Sequence, residues 1–308
     1  MKIVVTGATG FVGQWLVNEL LDQNDDVTIL VRNKERIPKK WKGCVHMVEA
    51  SMEQASGLDK KEFPCGEADI FIHLAWAGAS GLERADSQLQ LQNVQFSCDM
   101  VKLAGKLHCS RFVNAGSIME YEAMQYIPQE GAMPGMGNIY STAKLAADFM
   151  GKATAINLGI EYINLIISNI YGAGEHSARF LNTTLRRMLN HEQIPLTHGK
   201  QLYDFIYASD AAKAIALAGK KGKGNTAYYI GNSRQYPLKD FVLQMKKVLG
   251  SKSELLFGKA PFQGAMLRYD EFDTGKLEEL GYRTEIDFAK GVNLTKEWIL
   301  GEKNDNKF

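Results

Sequence analysis

The first thirteen residues constrain this chain most. Ile3-Val4-Val5 is a short β-rich run that stops at Thr6-Gly7-Ala8-Thr9-Gly10-Phe11-Val12-Gly13, and Val12, Leu16, Leu20 and Leu21 then fall near one helical face. Strand, tight turn and helix are compressed into one unit with the spacing Gly-x-x-Gly-x-x-Gly. Gly7 allows the turn, Gly10 lets the backbone approach a pyrophosphate, and Gly13 lets helix and sheet pack closely. The phosphates would sit at the helix N-terminus, where unpaired N–H groups and the helix dipole favour negative charge. Gly7, Thr9, Gly10, Phe11, Val12 and Gly13 are therefore the expected dinucleotide contacts of the turn.

Further apolar runs at 27–31, 45–48, 69–75, 111–115 and 161–167 read as strands, with helices over 87–107, from Tyr140 toward Leu158, and over 238–249. Strands alternating with helices imply parallel strands joined by right-handed crossovers, an α/β fold with a Rossmann-type doubly wound parallel sheet. After Gly172 the alternation weakens, which points to a smaller mixed α/β C-terminal lobe facing the substrate. The expected division is 1–171 plus about 202–234 in the dinucleotide-binding domain, and about 172–201 plus 235–308 in the lobe. The polar residues 301–308 read as a frayed tail.

Composition excludes several classes of partner. Lys and Arg number 36 against 35 Asp and Glu, so no excess charge directs the chain to nucleic acid or a membrane surface. Cys44, Cys65, Cys98 and Cys109 form no Cys-x-x-Cys pair, and His46, His176, His191 and His198 show no ligand spacing, so no metal site is expected. The cysteines read as reduced packing residues, and the leading apolar run is too short for a signal peptide or membrane span. A cytoplasmic location is the expectation.

The second strand ends Leu30-Val31-Arg32-Asn33-Lys34, without the acidic residue that commonly binds an adenine ribose. A carboxylate there would repel a 2′-phosphate, whereas Arg32 can hold one, with Lys34 or Arg36 in support. NADP is favoured, with NAD possible; a role as solvated loop cations stays open for these residues.

Tyr140-Ser141-Thr142-Ala143-Lys144 puts a phenol and an ammonium on one helical face, where the cation can depress the phenol's pKa. Ser117 follows the strand before this helix, at the carboxyl edge where parallel sheets bind ligands. A hydroxyl at Ser117 can hold a sugar or alcohol oxygen while Tyr140 exchanges its proton and Lys144 holds the nicotinamide ribose.

With the glycine turn, Ser117 and Tyr140-x-x-x-Lys144 in order, the chain resembles the extended short-chain dehydrogenase/reductases, specifically the nucleotide-sugar epimerase/dehydratase family. The resemblance extends to His73-Leu74-Ala75, Asn93, Asn169-Ile170-Tyr171-Gly172, the segment Asp204-Phe205-Ile206-Tyr207-Ala208-Ser209-Asp210, Asp273-Thr274-Gly275-Lys276-Leu277 and Leu280-Gly281-Tyr282. It implies a catalytic trio of Ser117, Tyr140 and Lys144, a nucleotide-diphosphate sugar as substrate, and cofactor contacts from Gly7, Gly10, Gly13 and Arg32. Ala75, Asn93 and Ile170 would lie along the cofactor or its supporting network, and Asn169 would face the substrate phosphates. A homodimer formed by the two long helices is also implied.

Departures narrow the reaction. Family dehydratases carry Asp-Glu after the catalytic hydroxyl residue; here Ile118 and Met119 stand there and Glu120 is one place too late. Two family arginines fall on Tyr203 and Gln263, leaving Arg179 as the expected substrate cation and Arg268 as a second candidate. The favoured reading is NADPH-dependent reduction of a 4-keto-6-deoxy nucleotide sugar with Tyr140 as general acid. A nucleotide-sugar epimerase with tightly bound NAD(P) is the alternative, and a non-catalytic dinucleotide-binding regulator is the reading from another class.

Overall fold

Alternation along β1 (Lys2–Thr6) sends Ile3 and Val5 into one apolar cluster and Val4 into another. A strand buried on both faces belongs inside a parallel sheet covered by helices on both sides. The computed structural model describes residues 1–126, 130–131, 133–262, 266–269 and 272–305. After β1 come α1 (Phe11–Asp22), β2 (Asp26–Val31), β3 (His46–Glu49), α2 (Met52–Ala55), β4 (Ile70–His73), α3 (Ser87–Lys106), β5 (Arg111–Ala115), α4 (Met119–Tyr126), α5 (Asn138–Asn157) and β6 (Glu161–Ile167). With β11 (Thr226–Ile230) these strands form a seven-stranded sheet in the order β11-β6-β5-β4-β1-β2-β3, every pair parallel.

The order reverses between β1 and β4. Such a switch point opens a crevice at the carboxyl ends of the strands, and the glycine turn after β1 lies directly on it. Helices α3 and α5 pack together, as do α1 and α7 (Ala208–Lys221). Beneath α3 and α5 the rings of Phe71, Phe112 and Tyr162 stack in register across β4, β5 and β6, with centroids 5.5 and 5.8 Å apart.

The remaining elements are β7 (Asn169–Tyr171), α6 (Phe180–Leu189), β8 (Ile194–Leu196), β9 (Leu202–Tyr203), β10 (Phe205–Tyr207), β12 (Tyr236–Pro237), α8 (Leu238–Leu249), β13 (Leu255–Phe257), α9 (Lys276–Glu279) and α10 (Phe288–Asp305). Leu185, Met188, Val242, Met245, Val292 and Ile299 from α6, α8 and α10 make a separate core against Tyr171 and Phe205. Strands β7 and β10 pair with each other and carry this lobe to the edge of the crevice.

Two expectations are corrected. The fourth strand stops at His73, and Leu74 and Ala75 leave the ladder to line the crevice. The polar tail expected from residue 301 is still helical: α10 runs to Asp305, because Ile299 is buried in the lobe core and Glu302 pairs with Arg186 at 3.2 Å. Among the described residues no helix is long and apolar enough to cross a membrane.

The aromatic stack predicts a measurable stability cost. Phe112→Ala removes the middle ring and should cost about 3–5 kcal/mol, seen as a lower urea midpoint; a change below about 1 kcal/mol would mean that the stack carries little of the fold.

Candidate active site

Gly7 adopts φ 72°, and a Cβ on it would lie 2.7 Å from the Ala75 nitrogen. On Gly13 a Cβ would lie 2.1 Å from the Gly7 carbonyl oxygen. Both positions must be glycine for the turn, α1 and the end of β4 to meet this closely. Beside the turn lies a cavity of about 230 Å³ lined by Thr9, Gly10, Arg32, Arg36, Ala50 and Ala75 among others. Phe11, Val12 and Gly13 line the adjoining groove along the N-terminus of α1. This bare cradle, with helix N–H groups at one end and two guanidinium groups at the other, fits a dinucleotide. Of the two cations expected in support of Arg32, Arg36 is on the cavity wall, while the Lys34 ammonium pairs with Glu49 at 3.0 Å.

Behind the cradle, buried His73 joins the two strands of the switch point. Its Nδ1 lies 2.7 Å from Thr6 Oγ1 and its Nε2 lies 3.2 Å from Ser97 Oγ. Thr6 Oγ1 accepts from the Ala75 N–H, and Ser97 Oγ donates to the Asn93 carbonyl. That polarity leaves Nδ1 as acceptor and places the ring proton on Nε2. Burial, then the Lys144 charge, holds the His73 pKa down to about 3. Asn93 is not on the cavity wall: both ends of its amide are used at 2.9 Å by the backbone of Ala77, which is.

Ser117, Tyr140 and Lys144 share the wall of a cleft of about 410 Å³ that also takes in Asn169, Ile170 and Arg179. Ser117 leaves β5, Tyr140 and Lys144 stand one turn apart on α5, and all three are buried. Lys144 Nζ donates to the Ala115 carbonyl at 2.8 Å and lies 3.6 Å from the centre of the Trp76 ring. Trp76 in turn meets Tyr140 edge-on at 6.0 Å and donates from Nε1 to Gln90. Burial raises the Tyr140 pKa; Arg84 opposes it most, then Arg179, then the hydrogen bond with Ser117. This corrects the expectation that Lys144 depresses the phenol: the ammonium is turned toward a carbonyl and an indole face. Arg84 does that work, its guanidinium carbon 4.3 Å from the centre of the Tyr140 ring. Sequence reasoning missed Arg84, since nothing in its local pattern points to α5, the fourth element after it.

The substrate end is more mixed. Asn169 donates from Nδ2 to the Asp204 carbonyl, tying β7 to the β9–β10 connection, while its side of the strand borders the cleft. Arg179, just before α6, lies 3.9 Å from Glu175 and lines the cleft. Tyr203 lines the cleft where the family places arginine, its ring stacked on Phe205 at 5.5 Å. Arg268 is exposed and outside the cleft lining, and Gln263 falls outside the described residues. Buried Asp204 accepts from Tyr229 Oη and from the backbone of Asn232 and Ser233, so it organises loops, while Phe205 beside it lines the cleft. Among the described residues no cluster of three metal-binding side chains occurs.

Residues 3–231 match the NAD dependent epimerase/dehydratase family. The chain is 28% identical over 319 residues to a Methanocaldococcus jannaschii protein named putative UDP-glucose 4-epimerase, covering 99% of each. Among solved structures it is similar to UDP-glucose 4-epimerase with UDP-glucose from Thermotoga maritima, with TM-score 0.79 and 22% identity over 98% of this chain and 100% of that one. It is likewise similar to Streptomyces venezuelae dTDP-glucose 4,6-dehydratase with NAD bound, with TM-score 0.80 and 23% identity over 99% and 98%.

The switch-point histidine makes the fold acid-sensitive. Unfolded, it takes a proton below about pH 6.5; folded, it resists protonation until pH falls to about 3. The unfolded state therefore binds more protons in that window, and stability is lost as pH falls, by about 2 kcal/mol from pH 6.5 to 5. Denaturation midpoints should fall less steeply with acid in His73→Gln than in the native chain; equal slopes would show that His73 titrates normally.

Proposed function

The chain belongs to the NAD dependent epimerase/dehydratase family of extended short-chain dehydrogenase/reductases, whose members work on nucleotide sugars, and within it we propose an NADP-dependent reductase of a 4-keto-6-deoxy nucleotide sugar. The observation that carries this reading is the pair Arg32 and Arg36 on the wall of the cavity beside the glycine turn. Two cations there suit a 2′-phosphate, and a cofactor of the NADP type suits net reduction with release at every turnover.

When bound, the dinucleotide supplies a hydride to the carbonyl carbon. Tyr140 donates its phenolic proton to the carbonyl oxygen, and Ser117 holds that oxygen by a hydrogen bond. Arg84 and Arg179 favour the phenolate left behind, since both lower the Tyr140 pKa. Lys144, held between the Ala115 carbonyl and Trp76, is the group to hold the nicotinamide ribose. Asn169 and Arg179 face the substrate diphosphate, and the segments 172–201 and 235–308 form the lobe around the sugar nucleotide. Ile118 and Met119 bring no acid or base to the cleft, which weighs against elimination of water. The convergence of Ser117, Tyr140 and Lys144 on one cleft weighs against a regulator without chemistry.

A second reading is a 4-epimerase, favoured by the name of the 28% identical relative. A homodimer through α3 and α5 is supported by Leu91, Phe149, Met150 and Ile156, which are exposed on those helices. Sedimentation of micromolar protein checks this, and a monomer there would sink it.

Purified protein given a panel of 4-keto nucleotide sugars should consume NADPH, and Tyr140→Phe should lose about 10²–10⁴-fold in turnover while cofactor affinity holds. Arg32→Ala should weaken NADP binding by about tenfold and leave NAD nearly unchanged. Interconversion of a saturated nucleotide sugar with its epimer, without NADPH consumption on any keto-sugar, would replace this reading with the second one.

A further inference from the structure

Glu120 is 2% exposed on the first turn of α4, and it points behind the cleft rather than into it. Its Oε1 accepts from the Ser117 N–H at 2.7 Å, and its Oε2 accepts from Asn164 Nδ2 at 2.9 Å. Asn164 Oδ1 accepts in turn from Asn114 Nδ2 at 3.0 Å, so a buried polar chain crosses β5 and β6 and ends on the carboxylate. Gly116 makes room for it: a Cβ there would lie 2.5 Å from both Glu120 Oε1 and Asn164 Oδ1. Ser117 is thereby held at three atoms, since its carbonyl accepts from the Glu120 N–H at 3.0 Å and its Oγ accepts from the Met119 N–H at 3.2 Å. Its hydroxyl proton is left to donate.

A carboxyl this deep is costly unless a cation and hydrogen bonds compensate it. The charges that act on it are Lys144 and Asp148, one turn apart on α5; Tyr140 of α5 and Tyr162 of β6 also feel Glu120. Burial, then Asp148, pushes the Glu120 carboxyl up and burial pushes the Lys144 ammonium down, while each of the pair favours the charged form of the other.

We propose that Glu120 is a positioning residue of the proton-transfer site, clamping the Ser117 peptide from behind so that its hydroxyl is held toward the cleft. This role presupposes that Ser117, Tyr140 and Lys144 carry the chemistry. It also gives a place to the carboxylate that stands too late in the sequence to serve as a dehydratase acid.

The test compares Glu120→Ala with Glu120→Gln, whose amide oxygen can still accept from the Ser117 N–H. Glu120→Ala should lower turnover by about tenfold with KM and NADP affinity unchanged, and Glu120→Gln should recover most of that loss. Unchanged turnover in Glu120→Ala, or an equal loss in both variants whose denaturation midpoints match the native chain, would overturn the clamp. Full turnover in Tyr140→Phe would instead reject the catalytic reading while leaving the midpoints interpretable.

Discussion

Everything in this molecule depends on how closely the turn after β1 approaches the end of β4. A Cβ on Gly7 would meet the Ala75 nitrogen at 2.7 Å, so two backbones are in contact at the point where the sheet changes winding direction. That contact sets the floor of the cradle, and the buried Thr6–His73–Ser97 chain holds it from behind. Burial keeps the histidine neutral, so this lock adds no charge beneath the cradle. The lobe built on α6, α8 and α10 then needs only to reach the same edge, which β7 and β10 allow.

Charge in the cleft is arranged in layers. Arg84 and Arg179 act on Tyr140 from the cleft side, Lys144 is fixed between a carbonyl and an indole, and Glu120 lies behind. Burial alone would push the phenol up and the ammonium down, both away from useful proton transfer at neutral pH. Arg84 and Arg179 oppose the shift of the phenol, to which Glu120 adds, while Glu120 opposes the shift of the ammonium, to which Arg179 adds.

Much of this was legible in the sequence where local pattern and chemistry coincide. The glycine spacing, the parallel strands through β6 and the facing of Tyr140 and Lys144 follow from short-range periodicity. The helical course of 301–305 was not legible, because Ile299 and Glu302 are ordered by tertiary partners on α6 rather than by propensity. Arg84 escaped notice because its role comes from a segment folding over α5. Asn93 was read as lying along the cofactor or in its supporting network, and both ends of its amide hold the Ala77 backbone. Lys34 was named beside Arg36 as support for Arg32, but Glu49 on the adjacent strand, fifteen residues on, captures it. Contacts between distant segments leave no spacing to read.

The most direct test of the central claim follows the hydrogen. NADPH deuterated at the transferable C4 position is supplied with a 4-keto nucleotide sugar, and the product is examined by mass spectrometry and NMR. The account predicts one deuterium on the newly formed carbinol carbon for each NADP produced. Product that carries no deuterium, formed while NADPH is not consumed, would contradict it.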